Sequence, residues 1–338
     1  MNEVEHLFPK MEMFIHLERK ISHLELHKDM SLTEQELKNL KKRISAAGIP
    51  APTKNNFRLL TWNIRNFNEN KEKRAVSYIA EVCKNFDIIA IQEVKDSLGG
   101  LELLQRKIGT KYRFLFSDAS GNSERLVFVY DSSRVQFTGL AAEVVMAPGA
   151  GREKVKAELE FDRTPFMASF RINECNFIIV TVHIYYGSGS AVQYRLEEIK
   201  NIAKYLKKSS SDTDALDSDY IACGDFNIEQ VHAQIAKKKG KKSEILGRLF
   251  DALQSQGLII EEDIRNSPSN LDKTKHFDQI GYHKYKDSTI KFLKGGVIDF
   301  IGAVYVGDKK IQFKMSDHLP MWAAFSTSRD KNPKYINP

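Results

Sequence analysis

Cysteine is scarce in this chain: Cys83, Cys175 and Cys223 are the only three among 338 residues. They sit inside apolar runs (YIAEVC, CNFIIV and YIACGDF) and at no CxxC spacing. An odd, scattered set excludes a disulfide framework and a structural zinc site, and leaves buried free thiols in a reducing cytoplasm as the reading. Long apolar runs are missing as well. No stretch reaches the ~18 apolar residues that a membrane helix requires. The opening MNEVEHLFPKMEMF has acids and a proline but no basic segment before an apolar core, which speaks against a secretory signal. A soluble, cytoplasmic protein is the expectation. There is no internal repeat and no low-complexity tract. Charge of one sign is only mildly in excess, with 51 basic residues against 44 acidic ones and a net +7. That balance suits a polyanionic partner and a merely solubilising surface equally, because the field of a cleft matters more than the total.

What is present describes a globular protein: 42% hydrophobic and 28% charged residues, in a length that holds one large two-sheet domain or two ordinary ones. Residues 1–50 read as an N-terminal helical hairpin and linker. Leu7, Met11, Phe14, Ile15, Leu17, Ile21 and Leu24 recur at helical spacing. Ser31 with Glu34 has the form of a capping box, Leu32, Leu37, Leu40 and Ile44 continue an apolar face, and Gly48, Pro50 and Pro52 end it. The linker residues predict few contacts with the remainder of the chain, so a chain starting near Pro52 is expected to fold. From Phe57 the pattern changes. FRLLTWNI, DIIAIQEV, RLVFVY, FMASFRI, NFIIVTVHI and DYIACGDF are apolar, β-rich runs of strand length, and residues 71–85, 98–108 and 191–208 have helical periodicity between them. Runs apolar on both faces indicate strands buried between layers. The expectation is an α/β sandwich of two mixed sheets flanked by helices over residues 57–326, then a polar, frayed tail at 327–338. The segment Lys237, Lys238, Lys239, Gly240, Lys241, Lys242 reads as an exposed basic loop.

One feature recurs. Asn63 closes LLTWN, Glu93 closes IIAIQE, His183 closes IIVTVH, Asp225 and Asn227 close YIACGDFN, and Asp317 with His318 opens SDHLP. Loops leaving strand ends converge on one edge of a sheet, where α/β proteins assemble their sites. Carboxylate and amide oxygens suit Mg²⁺ or Mn²⁺, and histidines suit proton transfer. Each residue alone has a plainer explanation as a turn former, a helix cap or a satisfied structural histidine. Five such segments in one chain shift the balance.

TWNI, IQEV, TVHIYYG, GDFNI and SDHLP together resemble the endonuclease/exonuclease/phosphatase superfamily, and within it the deoxyribonuclease I branch. The resemblance implies a four-layer α/β sandwich and a phosphodiester hydrolase using Mg²⁺ or Mn²⁺. It implies Glu93 as metal ligand, with Asn63 and Asp317 assisting. His318 takes a proton from water with Asp278 of KHFDQI behind it, and His183, with Glu124 of GNSERLVFVY behind it, acts as phosphate ligand or proton donor. Asp225 and Asn227 hold the phosphate or the nucleophile, and Arg163 of FDRTPF is similar to a phosphate-contacting arginine. Asp299, in VIDFIGAVY, is expected to be a structural acid. The aromatic residue that the branch places before the acid is missing here, so minor-groove stacking of that type is not expected. Nucleic acid is the expected substrate, with the five lysines at 237–242 as backbone contacts. The alternative is a sphingomyelinase-like enzyme that cleaves a lipid or small-molecule phosphoester. A binding protein with a degenerate site is disfavoured, because Glu93, His183, Asp225, Asn227, Asp317 and His318 are all retained. Residues 1–47 are left open between docking on the core, self-association and holding a partner.

Overall fold

In the computed structural model the described residues are 32–145, 161–187, 191–212, 216–230, 241–285, 287–308 and 310–330; side chains are not described at 241–244. Among the described residues, eleven strands form two sheets. The six-stranded sheet runs in the order β10 (Ile290–Val297), β11 (Met321–Thr327), β1 (Asn56–Phe67), β2 (Ile88–Lys95), β4 (Glu124–Asp131), β3 (Tyr112–Phe116). The five-stranded sheet runs β5 (Gln136–Glu143), β6 (Phe166–Ile172), β7 (Cys175–His183), β8 (Tyr220–Asp225), β9 (Asp278–Tyr282). Each is mixed: β1 pairs with β2, and β7 with β8, in parallel, and the remaining pairs are antiparallel. The α-helices over residues 32–46 (α1), Lys73–Cys83 (α2) and Gly99–Ile108 (α3) cover one sheet, and Val192–Ser211 (α4) and Lys241–Gln254 (α5) cover the other. Glu262–Arg265 (α6) and Ile311–Lys314 (α7) are single turns. This is the four-layer sandwich that the sequence predicts.

The period-2 alternation of a strand explains the layering. Along β1, Phe57 and Leu59 enter the core shared by the two sheets, where Phe57 stacks on Phe177 at 4.3 Å between ring centres. Leu60, Trp62 and Ile64 enter the second core, under α1, α2 and α3. Thr61 and Asn63 therefore face the opposite sheet. Buried Gln92 of β2 confirms this facing, because its Nε2 donates to Thr61 Oγ1 at 3.1 Å and to Thr181 Oγ1 of β7 at 2.9 Å.

Two expectations change. The linker does not isolate the N-terminal segment: Leu40 and Ile44 of α1 lie in the second core, the Tyr78 hydroxyl donates to buried Glu36, and Arg43 reaches the Ile301 carbonyl. The apolar face of an amphipathic helix has to be covered, and α2 covers it. The tail is not frayed from its start either. Thr327 belongs to β11, and the backbone N–H groups of Ser328 and Asp330 donate to Thr289 and Glu174. The first helix of the hairpin, Ser31 and residues 331–338 lie outside the described residues. Cys83, Cys175 and Cys223 are buried and free, and burial pushes each thiol up to about 12.

Candidate active site

At one end of the sandwich the sheets part around a cavity of about 520 Å³. Sheet register brings its residues level. His183 at the end of β7 pairs with Asp225 at the end of β8, and Asp225 pairs with Asp278 at the start of β9, so three titratable side chains stand in one row. Gly224 lets β7 and β8 close there. Its φ is +136°, and a Cβ on it would overlap the Val182 carbonyl oxygen and stand 2.8 Å from the Val182 nitrogen.

The other sheet contributes Asn63 and Glu93. Alternation alone would send Glu93 outward with Ile89 and Ile91, toward the helices. A shift in the β2 pairing between Ile91 and Val94, with Glu93 in the left-handed region at φ 61°, re-aims it into the cavity. Such conformations are costly in non-glycine residues and cluster at functional positions. Asn227 (φ 52°) and Asn66 (φ 48°), both lining the cavity, share the trait.

Asn63 Nδ2 donates to Glu93 Oε1 and to Asp225 Oδ2, each at 3.0 Å, and so ties the two sheets together. Asn66 N–H donates to Glu93 Oε2 at 2.9 Å. His183 and His318 flank Asp225: their Nε2 atoms lie 3.5 and 3.6 Å from its Oδ2. A carboxylate stands behind each ring. Asp278 Oδ2 is 2.7 Å from His318 Nδ1, and Glu124 Oε2 is 3.2 Å from His183 Nδ1, out of line for a hydrogen bond. The His318 loop is pinned to β1, since Ser316 Oγ donates to the Asn63 carbonyl at 2.5 Å and Trp62 Nε1 donates to the His318 carbonyl at 2.9 Å. Asn227 N–H donates to Asp225 Oδ1 at 2.9 Å, and its amide donates to the Ile184 carbonyl at 2.6 Å.

Electrostatics follow from these distances. Burial opposes charge on His318, but Asp278 and Asp225 outweigh it and lift its pKa to about 10. Burial likewise opposes the Glu124 carboxylate. Its contacts with His183, Lys95 and Arg163 win, and its pKa falls to about 2. Burial lowers Lys71 to about 8 against the pull of Glu93 and Asp317, and its ammonium donates to the Arg65 carbonyl at 2.7 Å.

Arg163 lines the cavity, but its Nε donates to Glu124 at 2.7 Å, so it reaches this region as the partner of that acid. Asp317 stands at the rim, 43% exposed, with Arg65 Nη1 donating to it at 2.8 Å. Asp299 lies elsewhere: it accepts the Ile301 N–H at 3.0 Å and pairs with Lys273. Lys237, Lys238 and Lys239 are outside the described residues, and Lys241 and Lys242 open α5 rather than continuing a loop. Arg65, Asn66, Lys95, Asn122, Tyr186 and Phe277 also stand on the cavity wall, and the strand-end pattern in the sequence misses all six. Arg65 comes two residues after Asn63, the spacing that returns to the same face, so for it a signal exists in the sequence.

The sequence profile described as "Endonuclease/Exonuclease/phosphatase family" matches residues 60–244, more than half of the chain. The chain belongs to that family. Its members hydrolyse phosphodiester or phosphate bonds. Within the family, the chain is 26% identical over 291 residues to a "Deoxyribonuclease" of Thioalkalivibrio sp. (strain K90mix), covering 82% of this chain and 73% of that one. A shorter match, 37% over 89 residues, covers 23% of this chain and 32% of "Deoxyribonuclease-1" of Oryctolagus cuniculus. Solved structures with the same fold include D. rerio TDP2 complexed with single strand DNA product (TM-score 0.54, 16% identity, 80% of this chain and 99% of that one). Another is the mannosyl-6-phosphatase Bt3783 of Bacteroides thetaiotaomicron (TM-score 0.56, 16% identity, 80% and 99%). At such identity these likenesses concern the fold.

Proposed function

We propose that this family member is a divalent-metal-dependent phosphodiesterase that cleaves nucleic acid, with the two-histidine row as its catalytic centre. The observation that carries the reading is the symmetry about Asp225: two imidazoles within 3.6 Å of one carboxylate oxygen, each with a further acid behind it. Hydrolysis of a phosphodiester needs a proton taken from water and a proton given to the leaving oxygen, and a pair of oriented imidazoles supplies both.

The residues fit a hard cation. Asn63 Oδ1 is buried without a hydrogen-bond partner, beside the Glu93 carboxylate and in a polar cavity. Among the described residues no three His, Cys, Asp or Glu side chains gather as a metal cage. Mg²⁺ commonly takes one or two protein carboxylates and keeps its waters, so a sparse oxygen set is what it uses. Glu93 and Asn63 would hold Mg²⁺ or Mn²⁺, with Asp317 reaching it through water. Bound there, the cation would neutralise charge on the phosphate oxygens and offset the Asp225 and Asp317 carboxylates that favour the charged form of His318, so that Nε2 can stand free of its proton.

With Asp278 fixing Nδ1, His318 Nε2 then accepts a proton from the water whose oxygen attacks phosphorus. The P–O ester bond breaks, and His183, oriented by Glu124, gives the departing oxygen its proton or binds the phosphate. Asp225 and Asn227 keep the phosphate between the two rings. Arg163 steadies Glu124 and adds positive charge, and the lysines at 237–242 track the backbone of a long substrate. The relatives named as deoxyribonucleases support nucleic acid over a lipid or sugar phosphate.

The test is an assay with Mg²⁺ or Mn²⁺ on plasmid, single-stranded DNA, RNA and bis-p-nitrophenyl phosphate, beside a phosphomonoester and sphingomyelin. Activity on the diesters should vanish with chelator, and Glu93→Gln should lose most of it, because charge stabilisation is greatest in the transition state. Full turnover by Glu93→Gln with unchanged metal dependence would remove Glu93 as the ligand, and exclusive cleavage of the monoester or the lipid would overturn the nuclease reading.

A further inference from the structure

Tyr186, 43% exposed, lines the cavity three residues beyond His183. Phe277 meets its ring edge to face, at 6.0 Å and 86°, and itself lies 5.3 Å from the His318 ring. The Lys275 ammonium is 5.9 Å from the Tyr186 ring and 5.0 Å from that of Phe277. The guanidinium of Arg195 lies 4.5 Å over the Tyr186 ring.

Arg195 makes this a built feature. It is 1% exposed and donates to the carbonyls of Tyr186 at 2.7 Å, Gly187 at 3.2 Å and Asn227 at 2.8 Å. One buried side chain thus fixes both the loop that carries Tyr186 and the loop that carries Asn227. The proposed catalytic fold leaves the ring unused, although an exposed aromatic costs solubility.

We propose that Tyr186, backed by Arg195 and Phe277 with Lys275 close by, is a stacking platform for a base next to the scissile phosphate, so that the enzyme prefers single-stranded nucleic acid to paired duplex. This rests on the nuclease reading above. A base inside a duplex has both faces covered by its neighbours and can offer none to a wall of a concave site, whereas an unpaired base can. The Lys275 ammonium, 5.9 Å from the ring centre, matches the phosphate that accompanies each base, and the charged lining (Arg65, Lys95, Arg163, Asp317) is the opposite of what an acyl chain would need.

Two measurements on the full chain test it. In chelator, single-stranded oligonucleotides carrying 2-aminopurine at successive positions should show a binding-dependent fluorescence change confined to one or two positions, kept in Tyr186→Phe and lost in Tyr186→Leu. With metal, replacing the base at that position by an abasic tetrahydrofuran should lower kcat/KM of the unaltered chain about 5- to 150-fold, the range expected for one base–aromatic stack. In Tyr186→Leu the intact and base-deleted substrates should be cleaved alike. The base-deletion series on the unaltered chain stands whether or not a variant folds. An equal base-deletion penalty in the unaltered chain and Tyr186→Leu, or no position-specific signal, overturns the platform alone. Failure of the unaltered chain to bind or cut any oligonucleotide while it turns over another diester overturns the nuclease reading, and the platform with it.

Discussion

A carboxylate behind an imidazole does two separable things: it selects the tautomer and it stabilises the charged ring. Asp278 is placed for both, with Oδ2 at 2.7 Å from His318 Nδ1 and no exposure to water. Asp278→Asn should therefore leave folding intact and lower kcat by a factor on the order of 10³ to 10⁴. Asp299, engaged by Ile301 N–H and Lys273, is a local turn acid. Asp299→Asn should shift the urea midpoint more than the rate. Steady-state kinetics beside urea unfolding on both variants decides the matter: an inactive Asp299→Asn with a near-normal Asp278→Asn would reverse the two roles.

At the scale of elements, the close approach of β7 and β8 sets the site. Gly224→Ala combines a left-handed φ with backbone overlap at Val182, and should cost about 2–6 kcal/mol while breaking the His183–Asp225 register. A urea midpoint and an activity equal to those of the unaltered chain would show that the strands part without consequence. α1 sets a second expectation. Deleting residues before Pro52 strips Leu40 and Ile44 from the second core, and their burial stabilises by roughly 3–6 kcal/mol together. Urea unfolding of the shortened chain should show a clearly lower midpoint, and an unchanged one would make α1 an ornament. The linker residues mislead here because Pro50 and Pro52 mark a change of direction, which says nothing about where the preceding helix docks. The six long apolar runs are legible as strands because burial on both faces writes a continuous signal. β3 and β9 are five residues long, β10 is a half-exposed edge strand with a glycine pair, and β11 is alanine-rich, so their apolar signal is short or dilute. Among cavity residues, those ending long runs (Asn63, Glu93, His183, Asp225) are legible for the same reason. Tyr186 comes after its strand inside a loop, and the bulge that re-aims Glu93 against its alternation leaves no mark in the sequence.

Across the whole molecule, pH also acts through groups outside the cavity lining, and two of them, buried His283 and half-buried Asp217, oppose each other. Burial, with Lys207 nearby, lowers His283 from its ordinary 6.5 to about 4, so the folded chain keeps it neutral where the unfolded chain would protonate it. Its contribution is present above about 6.5 and is lost as pH falls toward 4. Burial, with Asp219 and Asp330 nearby, raises Asp217 from its ordinary 3.8 to about 7, so the folded chain holds a proton that the unfolded chain releases. Its contribution is present below about 3.8 and is lost as pH rises toward 7. Stability rises with pH where the unfolded chain binds more protons and falls where the folded chain does. Between about pH 4 and 6.5 the two slopes therefore have opposite signs, and each group offsets the other. Removing one group exposes the other. Relative to the unaltered chain, His283→Gln should show a midpoint that falls more, or rises less, as pH rises through this window, because the upward slope from His283 is gone. Asp217→Asn should show the reverse change relative to the unaltered chain, because the downward slope from Asp217 is gone. Urea titrations at pH 4.5, 5.5 and 6.5 on the three proteins measure the signs directly, and parallel curves for the two variants would mean that neither group carries the linkage.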